Sequence, residues 1–312
     1  MKNTRLKLEN FINTSGKIIY FGEKKLLACP YTKNMRDILQ IMIKKNERVI
    51  FLTDKQDYTI KGVVVCGDIC RLLRVGAMFK LGTEDLNYYH QIYKQSISSI
   101  MTRSVVQVYD HIPLSLGVQI MTTHNIGTLP LIDRNRNLSG VIRERDIAFL
   151  LAETNKKVKV RDIMSENVTS CAPNSTIYDA LKITCNSGFR RLPVVHQHVL
   201  VGYLTVKDLL RYFNQKRVIE LLKEGQIDQV FYEPISTIMT TPVLTIDPKA
   251  SIVQFAQILK DYHIGALPVV KQNELVGIVT ENDIVKAMAI APTKIPSPPI
   301  IEVFKRYNNK NE

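Results

Sequence analysis

Residues Arg190–Asp208 read RRLPVVHQHVLVGYLTVKD, two apolar runs joined by a polar turn, then a glycine and a Thr-x-x-Asp. Leu192 to Val195 and Val201 to Leu204 are short, apolar and rich in valine, which predicts a pair of antiparallel strands. Thr205-x-x-Asp208 has the form of a capping box that opens a helix. Three other segments end in the same way, with a Gly-to-Asp interval of six residues from Gly62 to Asp68, Gly140 to Asp146, Gly202 to Asp208 and Gly277 to Asp283. In the last three copies an Ile-Met pair stands 29 residues before a Leu-Pro proline, from Met101 to Pro130, Met164 to Pro193 and Met239 to Pro268. A fixed register of this length is the signature of a repeated supersecondary unit. The fold class is α/β (α+β), built of four β-α-β-β-α repeats.

Working outward, an amphipathic helix fits between each Met and Pro. Ile177, Ala180, Leu181 and Thr184 follow i, i+3, i+4, i+7 spacing, and Ile252, Phe255, Ala256 and Leu259 do the same in the next copy. The first copy is worn. Pro30 to Ile50 spans the same 20 residues as Pro173 to Pro193, which puts Ile50 in the place of the proline and keeps a helix from Met35 to Met42. The resulting division is an N-terminal extension (1–25) containing a strand-like KIIYFG, repeats at 26–75, 97–150, 160–213 and 235–290, and a tail (291–312) whose PTKIPSPP is expected to be mobile. Long linkers with helical stretches (EDLNYYHQIYKQ and KRVIELLKEG) join repeats 1 to 2 and 3 to 4. Only a short basic segment joins 2 to 3. The chain therefore reads as two duplicated modules, 1+2 and 3+4.

The bulk numbers narrow the function classes. At 312 residues and 45% hydrophobic the chain supports compact cores. No apolar run reaches the ~18 residues of a membrane helix and MKNTRLKLEN lacks a signal-peptide core, so a cytoplasmic protein without membrane attachment is expected. Five cysteines without CxxC spacing indicate neither a disulfide framework nor zinc. The net charge of +13 favours anionic partners, whether nucleotide, nucleic acid or acidic protein. His196 and His198 fall in a strand-strand turn with no third ligand, and no catalytic triad or P-loop is present, so no metal site and no enzyme activity are expected.

Two features carry chemistry. The first is Thr-x-x-Asp, which capping alone could explain. Yet the Thr position is Val65 in repeat 1 and Arg143 in repeat 2, both poor caps, while Asp68 and Asp146 are kept. A carboxylate there can accept from both ribose hydroxyls, and the Thr hydroxyl with first-turn N–H groups suits a phosphate. The second is the pair before Leu-Pro, which alternates between arginine-bearing (Glu47-Arg48, Arg190-Arg191) and small (Gly127-Thr128, Gly265-Ala266). Guanidinium groups suit phosphate, whereas small residues leave room for a base.

With these motifs the chain resembles the cystathionine-β-synthase (CBS) domain family over roughly residues 26 to 290, with the pairs 1+2 and 3+4 corresponding to Bateman modules. Four copies in one chain resemble the γ subunit of AMP-activated protein kinase. The resemblance implies a non-catalytic, energy-sensing regulatory protein that binds an adenosine nucleotide (AMP, ADP or ATP, with S-adenosylmethionine a further candidate) and acts on an effector protein as a monomeric disc or a homodimer. It also implies shared clefts: Gly277, Thr280 and Asp283 with Arg190, Arg191, Met164 and Thr169, and Gly202, Thr205 and Asp208 with Gly265, Ala266, Met239 and Leu244. In the other module Asp146 and Arg143 would face Arg48, and Asp68, facing Gly127-Thr128, would line a weak or empty cleft. A basic nucleic-acid-binding regulator on the same scaffold is the alternative reading.

Overall fold

The computed structural model describes Ile18, Gly22 and residues 27–54, 59–80, 88–154 and 157–289. The expected mobility of the tail concerns residues outside this set. Repeat 1 comprises β1 (Ala28–Pro30), α1 (Met35–Lys45), β2 (Val49–Thr53), β3 (Ile60–Val65) and α2 (Cys66–Lys80), followed by a linker helix α3 (Tyr88–Tyr93). Repeat 2 comprises β4 (Val108–Tyr109), α4 (Leu114–Thr123), β5 (Thr128–Ile132), β6 (Leu138–Arg143) and α5 (Glu144–Thr154). Repeat 3 has α6 (Ile177–Ser187), β7 (Arg191–His196), β8 (Val199–Thr205) and α7 (Val206–Phe213), then linker helices α8 (Lys216–Lys223) and α9 (Ile227–Phe231). Repeat 4 has α10 (Ile252–Asp261), β9 (Ala266–Lys271), β10 (Glu274–Thr280) and α11 (Glu281–Ala289). In repeats 3 and 4 the entry strand shrinks to one parallel bridge, Cys171 to Val194 and Ile246 to Val269.

Local sequence explains the elements. Helix α6 starts at Thr176, whose hydroxyl accepts from the Asp179 N–H while the Asp179 carboxylate accepts from the Thr176 N–H, and Ser251 and Gln254 do the same for α10. The buried faces of these helices are the i, i+3, i+4, i+7 sets read from sequence. Between β7 and β8, and again between β9 and β10, Gln197-His198 and Gln272-Asn273 take positive φ at both positions, as in the hairpin turn that matches strand twist. His196 and His198 are accordingly exposed on that turn. The expected N-terminal strand is not seen at Ile18, which lies in a helical turn and is buried against repeat 2, its N–H bonded to the Ile112 carbonyl.

Strand register corrects the alignment of repeat 1 by one residue. Opposite the residue after the conserved-position glycine stand Pro130, Pro193 and Pro268 in repeats 2 to 4, but Phe51 in repeat 1. Phe51 and not Ile50 therefore takes the proline's place, and Arg48 matches Arg190, Gly127 and Gly265. The backbone agrees: the first residue of the closing helix donates its N–H to the carbonyls of Arg48, Gly127, Arg190 and Gly265 in turn. No residue is inserted: Cys29 pairs beside Leu52 as Cys171 does beside Val194, so Pro30 stands at the step of Ala172 and not of Pro173, and the helix caps Asn34 and Thr176 precede Phe51 and Pro193 by the same interval. A slip of one residue exchanges the two faces of a strand, so the shift decides which side chains point the same way.

The four repeats close a ring. Helix α2 packs on α6 and α7, joining repeat 1 to 3, while α4 and α5 pack on α10 and α11, joining 2 to 4. Each contact has its own core. The odd-repeat core carries Tyr88, Tyr93, Tyr212, Phe213 and Phe231 along with aliphatic residues, and the even-repeat core is aliphatic around Phe255. Repeats 3 and 4 also share one sheet of order β7-β8-β10-β9, joined at Val199 and Glu274. Among the described residues no helix is long and apolar enough to cross a membrane.

Candidate functional site

The four aspartates open their helices identically. Each carboxylate accepts from the backbone N–H three residues before it: Val65 at 2.7 Å, Arg143 at 2.8 Å, Thr205 at 2.9 Å and Thr280 at 2.7 Å. This half of the capping box needs no threonine, which is a structural reason for the aspartate to persist beside Val65 and Arg143. In repeats 3 and 4 the Thr205 and Thr280 hydroxyls add bonds to the same oxygen, at 2.6 and 2.7 Å.

The second carboxylate oxygen distinguishes them. On Asp68 it is held by Arg71, and on Asp208 by Arg211 at 2.8 Å. Asp146 has Arg145 at 3.8 Å among its neighbours. Asp283 Oδ1 has no hydrogen-bonding partner among the described residues, and burial raises this carboxyl above its ordinary range against the opposing pull of Thr280. Burial raises Asp68 as well, opposed by the Val65 N–H and by Arg71.

The glycines and methionines meet across repeats. Residues that open one repeat lie along the β-strand of another: Thr102 bonds Val63, Thr240 bonds Tyr203, and Ser165 bonds Ile278. This seats Met101 on Gly62, Met239 on Gly202 and Met164 on Gly277, where a Cβ would collide with the sulfur. Met164 thus reaches the strand that ends at Thr280, and Met239 the strand that ends at Thr205. The space above Gly202 and Gly277 is taken by thioether. Thr169 and Leu244 are exposed, and Ala266 is buried directly opposite Thr280.

All four repeats converge on one charged junction. Arg48 of repeat 1 lies 3.4 Å from Glu281 of repeat 4, and Arg190 of repeat 3 lies 3.6 Å from Glu144 of repeat 2. Glu144 also accepts from the Asn282 amide of repeat 4, and Arg143 reaches Glu47 of repeat 1 at 3.2 Å. The two arginines expected together in one cleft divide: Arg190 turns to repeat 2, while Arg191 reaches over Gly265 toward Glu281. Burial first, and then the charges of Arg48 and Arg190, lower Arg191 to about 10. Side chains at Gly127 and Gly265 would strike the Glu144 and Glu281 carboxylates, so the small residues make room for acids from the next element.

Beside the junction, a shallow cleft between repeats 1 and 3 is lined by Met42, Glu47, Cys66, Lys207, Leu210 and Arg211. Lys207 donates there to the Asn46 carbonyl at 2.7 Å and its side-chain oxygen at 2.8 Å, and burial lowers its amine to about 8. Cys29, Cys66, Cys70 and Cys171 are buried and Cys185 is half-buried, with burial raising Cys66 and Cys171 to about 11.

Glu144 and Glu281 escaped the sequence reading. Their signal is the residue directly after the Thr position, which runs Cys66, Glu144, Val206, Glu281. It is acidic only in the even repeats, complementary to the arginines that occur only in the odd ones.

Comparison with known proteins agrees with this architecture. The CBS domain profile matches residues 97–153, 160–215 and 235–290, and the chain belongs to the CBS domain family. Residues 28–80 add a fourth unit with the same element order. The chain is 28% identical over 282 residues to an uncharacterised 33.4 kDa protein of the ribosomal RNA operon of Thermofilum pendens, covering 89% of this chain and 91% of that protein. It is 26% identical over 270 residues to protein MJ1225 of Methanocaldococcus jannaschii, covering 85% and 96%. The crystal structure of MJ1225, presented as a candidate archaeal homologue of γ-AMPK, superposes with a TM-score of 0.80 at 23% identity over 87% of this chain and 99% of the other.

Proposed function

We propose that this protein is a non-catalytic regulatory sensor that binds an adenosine nucleotide in clefts between paired repeats, with modules 1+2 and 3+4 as the paired units. The observation that carries the reading is Asp283: a half-buried carboxylate fixed at one oxygen by Thr280, open at the other among the described residues, and two residues after Glu281 of the arginine-bearing junction. An open, desolvated acceptor suits the paired hydroxyls of a ribose, because burial strengthens a hydrogen bond to the charged form. Arg191, Arg190 and Arg48 lie within the same junction and suit a phosphate. On this reading the exposed Thr169 and Leu244 contribute contacts to the base.

The clefts are unequal on this reading. Asp208 and Asp68 already engage arginines, so a ribose must displace Arg211 or Arg71, and Asp283 fills first. Calorimetry with AMP, ADP, ATP and S-adenosylmethionine on the wild type and Asp283→Asn tests it. Asparagine retains the capping acceptor and removes the charge, and is expected to weaken AMP at least tenfold. Absence of heat or thermal shift at millimolar ligand would sink the proposal.

A further inference from the structure

We propose that Glu144 and Glu281 are internal anions that occupy the junction arginines, and thereby set how strongly the protein discriminates phosphorylated from phosphate-free adenosyl ligands. The inference rests on the adenosyl-binding reading above and extends it to the choice of ligand.

Both glutamates are buried, with side chains only 5% and 4% exposed, whereas their partners Arg190 and Arg48 are 46% and 30% exposed. Burying a carboxylate is costly unless its environment compensates, and an apolar replacement of similar size often does as well for stability. The molecule itself holds that control. At the same step of the fold repeats 1 and 3 carry Cys66 and Val206, also buried, 5% and 4% exposed. The backbone plan therefore does not require an acid there. What the acids do is local: Glu281 faces Arg48 and the approach of Arg191, and Glu144 faces Arg190 while accepting from Asn282. Burial is the main cause that raises the Asp283 carboxyl, and the Glu144 charge adds a smaller push in the same direction.

A ligand phosphate seeking these guanidiniums meets carboxylates already in place. It must displace them or share the cation, and either course reduces the gain from the phosphate. A nucleoside without phosphate leaves the pairs untouched. Because each pair joins different repeats, Arg48 to Glu281 across 1 and 4 and Arg190 to Glu144 across 3 and 2, displacement by phosphate also loosens contacts that close the ring. Phosphorylation state is thus read twice, as affinity and as a change in how the repeats are held.

The test uses AMP and adenosine, which differ only by the phosphate, on the full-length wild type, Glu281→Gln and Glu144→Gln. Glutamine keeps the shape and the hydrogen-bonding oxygen while removing the competing charge. The expected result is a ratio of AMP to adenosine affinity that rises roughly tenfold in Glu281→Gln, as for a charge-assisted bond released to the ligand. Adenosine alone should change by less than about twofold, since no phosphate contact is altered. A melting curve establishes that each variant is folded, and Glu144→Gln gives the same readout at the sister arginine should Glu281→Gln fail to fold. If both ligands bind the wild type and the ratio is unmoved or falls in the folded variants, the inference is overturned and the adenosyl reading stands. If neither ligand binds any of the proteins, the adenosyl reading falls and takes the inference with it.

Discussion

Glu281 in repeat 4 and Cys66 in repeat 1 occupy the same step of the fold, the first residue after the second strand of the hairpin, and both are buried. One brings a charge to the centre of the molecule and the other a thiol. The same contrast separates Glu144 from Val206. One residue before the first hairpin strand of each repeat the contrast reverses, with arginine in the odd repeats and glycine in the even ones. Repeats that share a backbone have thus diverged in complementary pairs, so that each acid meets its arginine only across repeats, Glu281 with Arg48 and Glu144 with Arg190. The two cores differ in a parallel way. The linker helices α3, α8 and α9 lie on the odd side, where Tyr88 packs edge-on to Phe231 at 5.8 Å and the Tyr93 hydroxyl donates to the Phe213 carbonyl at 2.6 Å.

The largest effect should come from breaking the odd core. Phe231→Ala empties a fully buried site touching Tyr88, Tyr178 and Phe213, and is expected to cost about 3–5 kcal/mol in urea unfolding. Next is the junction. Glu144→Ala leaves Arg190 and Asn282 without their shared acceptor and should cost about 1–3 kcal/mol. Glu144→Met, which gives an even repeat the apolar character of an odd one, should recover most of that loss. A full loss in both would break the comparison with Val206.

Capping effects come third. Thr280→Val removes a hydroxyl from the capping box and should cost about 0.5–2 kcal/mol, with Val65→Thr a smaller change of the opposite sign. The smallest is a pH effect at Lys207, whose amine is lowered from 10.5 to about 8. Between those values the unfolded chain binds the proton that the folded protein releases, so stability rises with pH across that window. Relative to Lys207→Met the wild type should gain stability from pH 8 to 10.5, by no more than about 1 kcal/mol after discounting for solvent screening.

Much of this was legible in the sequence because it rests on local rules. The amphipathic faces of α6 and α10, their capping residues and the hairpins each depend on residues within a few positions of one another. The grouping of Met164 with Thr280 and of Met239 with Thr205 came from the family resemblance and not from spacing, and the structure seats both methionines on the strands that end at those threonines. Matching Pro30 to Pro173 misaligns repeat 1, because Pro30 stands at the step of Ala172 in the entry strand. The Gly-to-Asp interval does not depend on that proline, which is why the helix that opens around Asp68 matches the structure. Glu144 and Glu281 were missed for a different reason. Adjacent to a capping position they look like ordinary first-turn acids, which favour the helix dipole. Their partners lie in other repeats, and nothing local marks them as buried.

Arg48 and Glu281 are separated by 233 residues, and repeat 4 is the last of the four to leave the ribosome. The contact of repeats 1 and 3 can form while repeat 4 is still being synthesised, since domains settle as the chain emerges. At that stage Arg48 and Arg190 can stand together without Glu281, and the nascent three-repeat chain is more cationic at its centre than the finished protein. Completion of the last repeat is therefore an act of charge neutralisation as well as of closure, and chains truncated before Glu281 should be the ones that gather polyanions.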